Sequence, residues 1–451
     1  IDSLNTKDRS LYTLSFPARR SADTMGASPS RGIPEEQDRQ RSIVIIGMRG
    51  AGKTTLGGAA AKALGWKFVD LDQHFEGHIG RSIAKFVEAE GWPAFRKAEL
   101  ETLQSVLASN PQGTVIACGG GIVETQAAAA VLEEYYPVVY VQKPLVDVEK
   151  ALSADGQRAK LPEPLSVVFE RRAPLYVKCS DYDFHLCPGE VDYKAAAKDF
   201  AAFAERIAGR SKTPRYGEDS FFLSLTFPEI TTVTRLLPKV EVGIDALELR
   251  ADLLKSQAPQ DVAVQLATLR RCSAMPVVFT VRSKAQGGAF AGSEQEMAAL
   301  LQVGLRSACE FVDVEAAISA STLESLLGRR RISRIIGSHH DMARMPPLSE
   351  CTDWLQRCTL NGEAALAKLV VGASCPEDCV RLQAAALAAS LPVPFIAINA
   401  GETGQMSRVL NRIFTPVTHP DLPVKAAPGQ LSAAYIMEVR RKLGYCETAP
   451  K

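Results

Sequence analysis

Two long tracts of the chain alternate short apolar runs with stretches of helical period, and a short polar segment separates them. In the first tract, 42–208, the apolar runs fall at 43–46, 67–69, 114–117, 137–141 and 183–186, with helical patterns such as 94–107 and 191–207 between or after them. Short apolar runs bounded by turn residues read as buried strands. Strands alternating with helices predict an α/β fold with a parallel sheet between helix layers. In the second tract, 220–446, runs recur at 221–226, 246–250, 277–281, 311–314, 334–337, 367–371, 395–399 and 414–417, separated by stretches such as 294–307 and 379–388. Eight parallel strands in about 225 residues predict a (β/α)8 barrel. Residues 1–41, rich in Ser, Arg, Pro and Gly, predict a flexible linker, GRSKTPRYGED (209–219) an interdomain linker, and 447–451 a tail.

Length and composition agree with this division. A chain of 451 residues is long for one core and predicts two domains. With 46% hydrophobic and 23% charged residues it has the make-up of a globular protein. A net charge of +1 provides no global field toward nucleic acid or membrane, and no apolar run is long enough to span a bilayer. The ten cysteines are scattered. Cys351 and Cys358, Cys375 and Cys379, and His74 and His78 have spacings that fit helix faces, and no zinc set is completed, so reduced thiols in a cytoplasmic enzyme are expected. Beginning at Ile1 and ending in GYCETAPK just past the last apolar run, the chain reads as a portion of a longer polypeptide.

The most specific motif is GMRGAGKTT (47–55), which follows the run 43–46 and opens a helical stretch. Strand, glycine turn and helix is the context in which G-x-x-x-x-G-K-[ST] is a phosphate cradle. Backbone N–H groups of Gly47, Gly50, Ala51, Gly52, Lys53, Thr54 and Thr55 face the phosphates, Lys53 reaches the terminal ones and Thr54 offers a hydroxyl to Mg2+. FVDLD (68–72) places Asp70 and Asp72 at the end of the second strand, where alternation points both the same way. Asp70 suits the Mg2+ shell and Asp72 a substrate hydroxyl, although either carboxylate also suits a helix N-cap. Arg96, in GWPAFRKAE, is expected in a helix's first turns, able to grip a carboxylate with two donors. CGGGIV (118–123) is a glycine run at a strand end, suited to close backbone approach or to a tight turn.

In this order the motifs resemble shikimate kinase over roughly 42–205. The resemblance implies ATP with Mg2+, and it implies that Asp72, Arg96 and Gly119, Gly120 and Gly121 bind shikimate. Arg158 in DGQRAKLPEP resembles the lid arginine over the phosphates, and Arg172 in RRAPLY the second substrate arginine. Ala159 stands after Arg158, where that family has proline.

In the second tract, charged residues lie at predicted strand ends, which in barrels usually serve catalysis. They are Glu248 and Arg250 in ALELRAD, Arg282 in FTVRSKAQGG, His339 and His340 in GSHHD, and Lys368 in ALAKLVV. Lys368 has apolar sequence neighbours, and burial among apolar groups favours a neutral, nucleophilic amine. A lysine snorkelling from a strand edge and a core or capping histidine are the plain alternatives. ELR, RxxxQGG, SHHD, the strand lysine, GQMSR and KAAPGQ together resemble type I 3-dehydroquinate dehydratase over roughly 220–440. The resemblance implies that Lys368 forms a Schiff base without a cofactor, that His340 is the general acid and base, and that Glu248 orients the site. It further implies that Arg408 grips the substrate carboxylate, and that Gln430, Arg282 and Arg250 contact hydroxyls or line the pocket. Gln286 and Ala426 stand where glutamate and serine occur in bacterial relatives.

Kinase followed by dehydratase resembles the middle of the pentafunctional arom polypeptides. The expected substrates are ATP, shikimate and 3-dehydroquinate, and the expected partners are further shikimate-pathway domains on a longer chain and a second copy in a homodimer. Quinate-pathway repressors are similar to the same two domains and only bind the metabolites. Lys53, Thr54, Asp70, Lys368 and His340 distinguish an enzyme from such a regulator.

Overall fold

The computed structural model describes residues 39–153, 163–190, 193–211, 214–422 and 427–445. The first unit is built on β1 (Ile43–Ile46), β2 (Lys67–Asp70), β3 (Thr114–Ala117), β4 (Val138–Gln142) and β5 (Tyr182–His185). They form one parallel sheet in the order β2-β3-β1-β4-β5. The all-apolar sequence of β1 follows from its central place. Ile43 and Ile45 pack into the core on one face, Val44 and Ile46 into the core on the other. A strand buried on both faces has no polar alternation. The helix Lys53–Leu64 leaves β1 through the glycine-rich turn and ends at Gly65 in the left-handed region, φ 65°.

The second unit contains β6 (Phe221–Leu225), β7 (Ala246–Arg250), β8 (Val277–Thr280), β9 (Phe311–Glu315), β10 (Arg334–Asp341), β11 (Leu366–Val371), β12 (Phe395–Asn399) and β13 (Thr415–Val417). They pair in parallel in the order β12-β11-β10-β9-β8-β7-β6-β13, with helices between them, as the eight-fold pattern predicts. The inner face is layered. Phe222, Ala246, Val278, Phe311, Ile336, Leu366 and Ile396 form an apolar floor together with Phe414. Two residues further along six of those strands stand Ser224, Glu248, Thr280, Asp313, Ser338 and Lys368, all buried. Because strand side chains repeat every second residue, these six point to the same side as the floor. The barrel therefore changes abruptly from an apolar plug to a polar layer toward the C-terminal ends of its strands, the end at which barrel enzymes carry chemistry.

The long β10, Arg334–Asp341, extends four residues beyond the run expected from hydrophobicity and carries Ser338, His339 and His340 as strand residues. Asp72 corrects the sequence reading. β2 ends at Asp70, and Asp72 is the second residue of the helix Leu71–Ile79, so the period-two argument for a shared direction does not apply. No helix among the described residues is long and apolar enough to cross a membrane.

Candidate active sites

At the carboxyl end of the first sheet, the helix Lys53–Leu64 starts at Gly52, φ 88°, with no side-chain cap on its first turn. Its leading N–H groups face the glycine loop, an arrangement that suits phosphate oxygens. Lys53 is buried, and its ammonium donates to the carbonyls of Gly47 at 2.8 Å and Met48 at 3.0 Å. The Thr54 hydroxyl donates to Asp70 Oδ2 at 2.7 Å. Asp70 is also the N-cap of the next helix, since its other oxygen accepts the N–H of Asp72 at 3.1 Å and of Gln73 at 3.3 Å. The capping role and the role beside Thr54 thus coexist on two oxygens of one carboxylate. A hydroxyl and a carboxylate placed together beside a phosphate cradle fit Mg2+, a hard cation that takes oxygen ligands.

The acceptor side of the site is built from close approaches. The helix Ile83–Ser109 breaks at Gly91, φ 81° and ψ 165°, and Pro93 lies just beyond the break, so Arg96 sits in the first turns of the resumed helix. A side chain at Gly121 would overlap the Arg96 guanidinium, and one at Gly119 would meet Glu99 Oε1 at 2.5 Å and Asp72 Oδ1 at 2.7 Å. The glycine run is thus required by side chains that crowd it. Arg172 donates to the Gly120 carbonyl at 2.9 Å. Asp72, Arg96, Arg172 and Gly119–Gly121 are therefore brought together.

Two acidic residues that the sequence reading missed organise these arginines. Arg96 pairs with Glu99 at 2.6 Å and with Glu124 at 3.0 Å, and Glu124 also pairs with Arg172 at 2.9 Å and Arg171 at 2.9 Å. Burial raises the Glu124 carboxyl, but the hydrogen bonds from Arg172 and Arg171 outweigh it and bring it down to about 2. One carboxylate thus bridges Arg96 and Arg172, so the two guanidinia are spaced to share a carboxylate. The spacing of Glu124 just beyond CGGGIV was the available signal. Arg158 and its neighbour Ala159 lie outside the described residues.

In the barrel, the expected apolar surroundings of Lys368 are not found. Its amine lies 3.0 Å from Asp313 Oδ2 and 3.9 Å from Glu248 Oε1. The apolar residues adjacent in sequence point outward or lie in the floor, whereas the neighbours in space come from β7 and β9. Asp313 is fixed in turn by Arg282 at 2.7 Å and Ser338 at 2.5 Å. Burial raises the Asp313 carboxyl, but Arg282 and Lys368 outweigh it and hold it well below the usual carboxylate range. Arg282 also donates to Glu315 at 3.1 Å. Glu248 accepts hydrogen bonds from Thr280 at 2.7 Å and from Ser224.

His340 lies on β10 two residues past Ser338, and Ser338 is the register partner of Lys368. Burial pushes its imidazole well below the ordinary histidine range, and Arg282, Lys368 and Arg250 add to the effect, so His340 is neutral. Its backbone N–H donates to Gln286 Oε1 at 2.9 Å, and its Nδ1 has no hydrogen-bond partner among the described residues. Gln286 therefore positions the strand carrying the imidazole. His339 stacks on Trp354 with ring centroids 3.4 Å apart. Arg250 spends Nε and Nη2 on Asp252, at 2.9 and 2.8 Å. Gln430 is buried. Ala426 lies outside the described residues.

Arg408 differs from the other buried arginines of the barrel. It is 2% exposed, donates Nη1 to the Pro416 carbonyl at 3.2 Å, and leaves Nε without a partner among the described residues. Burial brings its guanidinium down to about 10, and no acidic group counters that effect. A buried cation without its anion is costly, and a ligand carboxylate would satisfy it. Asp313, Glu315, Thr280 and Ser338 were not singled out from the sequence. Their period-two placement, most visibly in FVDVE, was the signal.

Residues 49–190 match the shikimate kinase family model, and residues 221–445 match that of type I 3-dehydroquinase. The chain is 38% identical over 421 residues to the pentafunctional AROM polypeptide of Yarrowia lipolytica, a match covering 89% of this chain and 27% of that relative's length. Among solved structures, the dehydroquinate dehydratase and shikimate dehydrogenase from S. pombe AroM is 36% identical with a TM-score of 0.49, covering 51% of this chain and 46% of that one. Shikimate kinase from Acinetobacter baumannii in complex with shikimate is 29% identical with a TM-score of 0.33, covering 37% of this chain and 93% of that one. The chain therefore carries a region of the shikimate kinase family followed by one of the type I 3-dehydroquinase family, and it spans about a quarter of the length of the AROM relative it matches.

Proposed function

We propose that the chain is bifunctional in the shikimate pathway. Its first domain, 42–208, phosphorylates shikimate with ATP, and its second, 220–446, dehydrates 3-dehydroquinate to 3-dehydroshikimate. The observation that carries the reading is the barrel interior: an amine, Lys368, and a neutral imidazole, His340, on adjacent strands, with a guanidinium, Arg408, buried without an acidic partner among the described residues of the same domain. A regulator that only binds metabolites needs Arg96 and Arg408 but has no use for that amine. The nine cysteines among the described residues are free thiols, which supports a reducing, cytoplasmic setting. Further pathway domains on a longer chain and assembly as a homodimer belong to the same reading.

In the kinase, Lys53 and the loop N–H groups take the phosphates, and Asp72, Arg96 and Arg172 hold shikimate. Thr54 and Asp70 would hold Mg2+, which neutralises charge between phosphates when bound. Asp72 takes the attacking hydroxyl of shikimate. Its carboxylate end joins Arg96 and Arg172, displacing Glu124.

In the dehydratase, the Lys368 amine leaves its contact with Asp313. The free amine attacks the ring ketone, and water leaves to form an iminium. The iminium accepts the electron pair of the adjacent C–H bond as His340 removes the proton. The resulting enamine expels the β-hydroxyl, which takes its proton back from His340. Water then hydrolyses the iminium and restores the amine. Arg408 holds the carboxylate and fixes which ring face meets His340.

Borohydride added with 3-dehydroquinate should reduce the iminium and add substrate mass to the peptide carrying Lys368. Lys368→Ala should neither label nor turn over, and His340→Ala should label yet turn over slowly. A label on another lysine refutes the assignment.

Burial lowers the folded-state His340 imidazole, so NMR of the folded chain should show its ring titrating well below pH 6.5. The sign for stability is the same. The unfolded histidine binds a proton near 6.5 and the folded one does not, so stability from this group is present above 6.5 and is lost as pH falls. A His340 ring that titrates at or above pH 6.5 in that spectrum would remove it as the neutral base.

Arg408→Leu should abolish carboxylate binding while raising the stability of the ligand-free barrel by about 1 kcal/mol or more, because an unpaired buried charge is removed. Urea titration read by dehydratase-domain fluorescence checks it. A loss of stability would mean that the guanidinium is already satisfied.

Lys53→Ala should cut phosphoryl transfer by about a hundredfold to a thousandfold while shikimate affinity is kept, and Arg96→Lys should weaken shikimate much more than ATP. Steady-state kinetics with each substrate varied separates the two. Unchanged turnover in the first variant, or equal weakening of both ligands in the second, contradicts the roles given.

A further inference from the structure

One side chain of the barrel is built into the kinase domain. Arg271 is in the last turn of the barrel helix Pro259–Cys272, yet its guanidinium is buried against the other unit. Nε donates to Glu190 at 2.8 Å, Nη2 to the His185 carbonyl at 2.9 Å and to Glu190 at 3.2 Å, and Nη1 to Asp199. The cation also lies over the Phe184 ring, 4.9 Å from its centre. These partners are the last residue of β5, the turn after it, and the second turn of the helix Tyr193–Ile207. Arg271 thus clamps the kinase chain on both sides of Tyr193.

Tyr193 in turn supports the phosphate loop. Its ring lies 2.6 Å from where a side chain at Gly52 would begin. Its hydroxyl accepts from Lys143 at 2.7 Å, and Lys143 also donates to the Gly50 carbonyl at 3.1 Å. The clamped turn is tied to the same region, since the Gly189 N–H donates to Asp147 at 2.8 Å and Glu190 also accepts from the Cys187 N–H at 3.0 Å. Arg271 therefore holds, through Asp199, the helix that begins at Tyr193, and from Tyr193 hydrogen bonds run through Lys143 to Gly50 while the ring packs on Gly52.

We propose that Arg271 of the dehydratase domain is a positioning residue for the nucleotide site of the kinase domain, holding the Tyr193 support against the phosphate loop. The proposal rests on the reading of that loop as the ATP site. Arg331 provides an interdomain ion pair for comparison. Arg331 pairs with Asp181 at 2.9 Å, before the start of β5 and away from the turn that leads to Tyr193. It fastens the domains together without touching the clamp.

The test uses the whole chain. For Arg271→Ala, the KM for MgATP and the directly measured Kd of MgATP should rise roughly tenfold, the size that coupling through a packed network reaches. KM for shikimate and dehydratase turnover should stay at the wild-type level. Arg271→Lys should recover only part of the loss, because lysine cannot reach Glu190, Asp199 and the His185 carbonyl together. Glu190→Gln, which keeps the barrel helix intact, should reproduce the loss, and Arg331→Ala should not. Equal MgATP affinity in wild type and Arg271→Ala overturns the proposal. So does an Arg331→Ala effect as large as that of Arg271→Ala, which would make docking in general the cause. Binding of MgATP without any shikimate-dependent turnover in the wild type would refute the kinase reading, and the Kd comparison would still decide the role of Arg271.

Discussion

The cost of burying charge governs both units. In the barrel interior, Lys368, Arg282, Asp313, Glu248 and Glu315 are all removed from water, and each is offset by an opposite charge or a hydroxyl. Such a set is strongly interdependent. Removing one partner leaves another charge buried alone, at a cost of about 3–5 kcal/mol. The apolar floor beneath it keeps water away from below, so these groups act in a medium where electrostatic effects are larger than in water. Against this paired background, Arg408 and His340 are the exceptions. One is a buried cation with no acidic partner among the described residues, the other a buried imidazole kept neutral. Exceptions of this kind mark where a ligand and a proton are to be accommodated.

The kinase unit solves the same problem with its own carboxylate. Glu124 stands between Arg96 and Arg172, so their charges are satisfied before any substrate arrives. Among the described residues the barrel leaves Arg408 without an acidic partner, whereas the kinase unit pairs Arg96 and Arg172 with a carboxylate of its own chain. Under the proposed roles, a substrate carboxylate would compete with Glu124 in the first site and meet no such competitor in the second. The two units are also joined by charge. Arg271 and Arg306 of barrel helices are buried on Glu190, Asp199 and Asp183 of the kinase unit, so the edge strand β5 is covered by ion pairs instead of open solvent.

Most of the fold was legible because both sheets are parallel and buried on both sides. Runs such as Ile43–Ile46 and Phe395–Asn399 are then continuous and apolar, and their limits in the structure coincide with those in the sequence. β10 was read too short because its last residues, Ser338 to Asp341, are polar for the sake of the site, which hides strand character from a hydrophobicity reading. Asp72 was misplaced for a related reason, since the N-cap Asp70 turns strand into helix within one residue. Motif residues with fixed spacing, such as Lys53, Thr54 and Asp70, came together as the spacing required. Residues that act through space were the ones missed. The partners of Lys368 lie 55 and 120 positions away, counted as 368 − 313 and 368 − 248, so its apolar sequence neighbours were a poor guide to its environment.

The central claim is that Lys368 leaves its ion pair with Asp313 to bond a ring carbon while Arg408 takes the carboxylate. A crystal structure of the chain reduced with borohydride in the presence of 3-dehydroquinate tests it most directly. The account predicts a covalent bond from Lys368 Nζ to the ring, the ligand carboxylate on the Arg408 guanidinium, and the His340 ring facing the carbon next to the linkage. An unmodified Lys368 still paired with Asp313, or a ligand carboxylate bound away from Arg408, would contradict it.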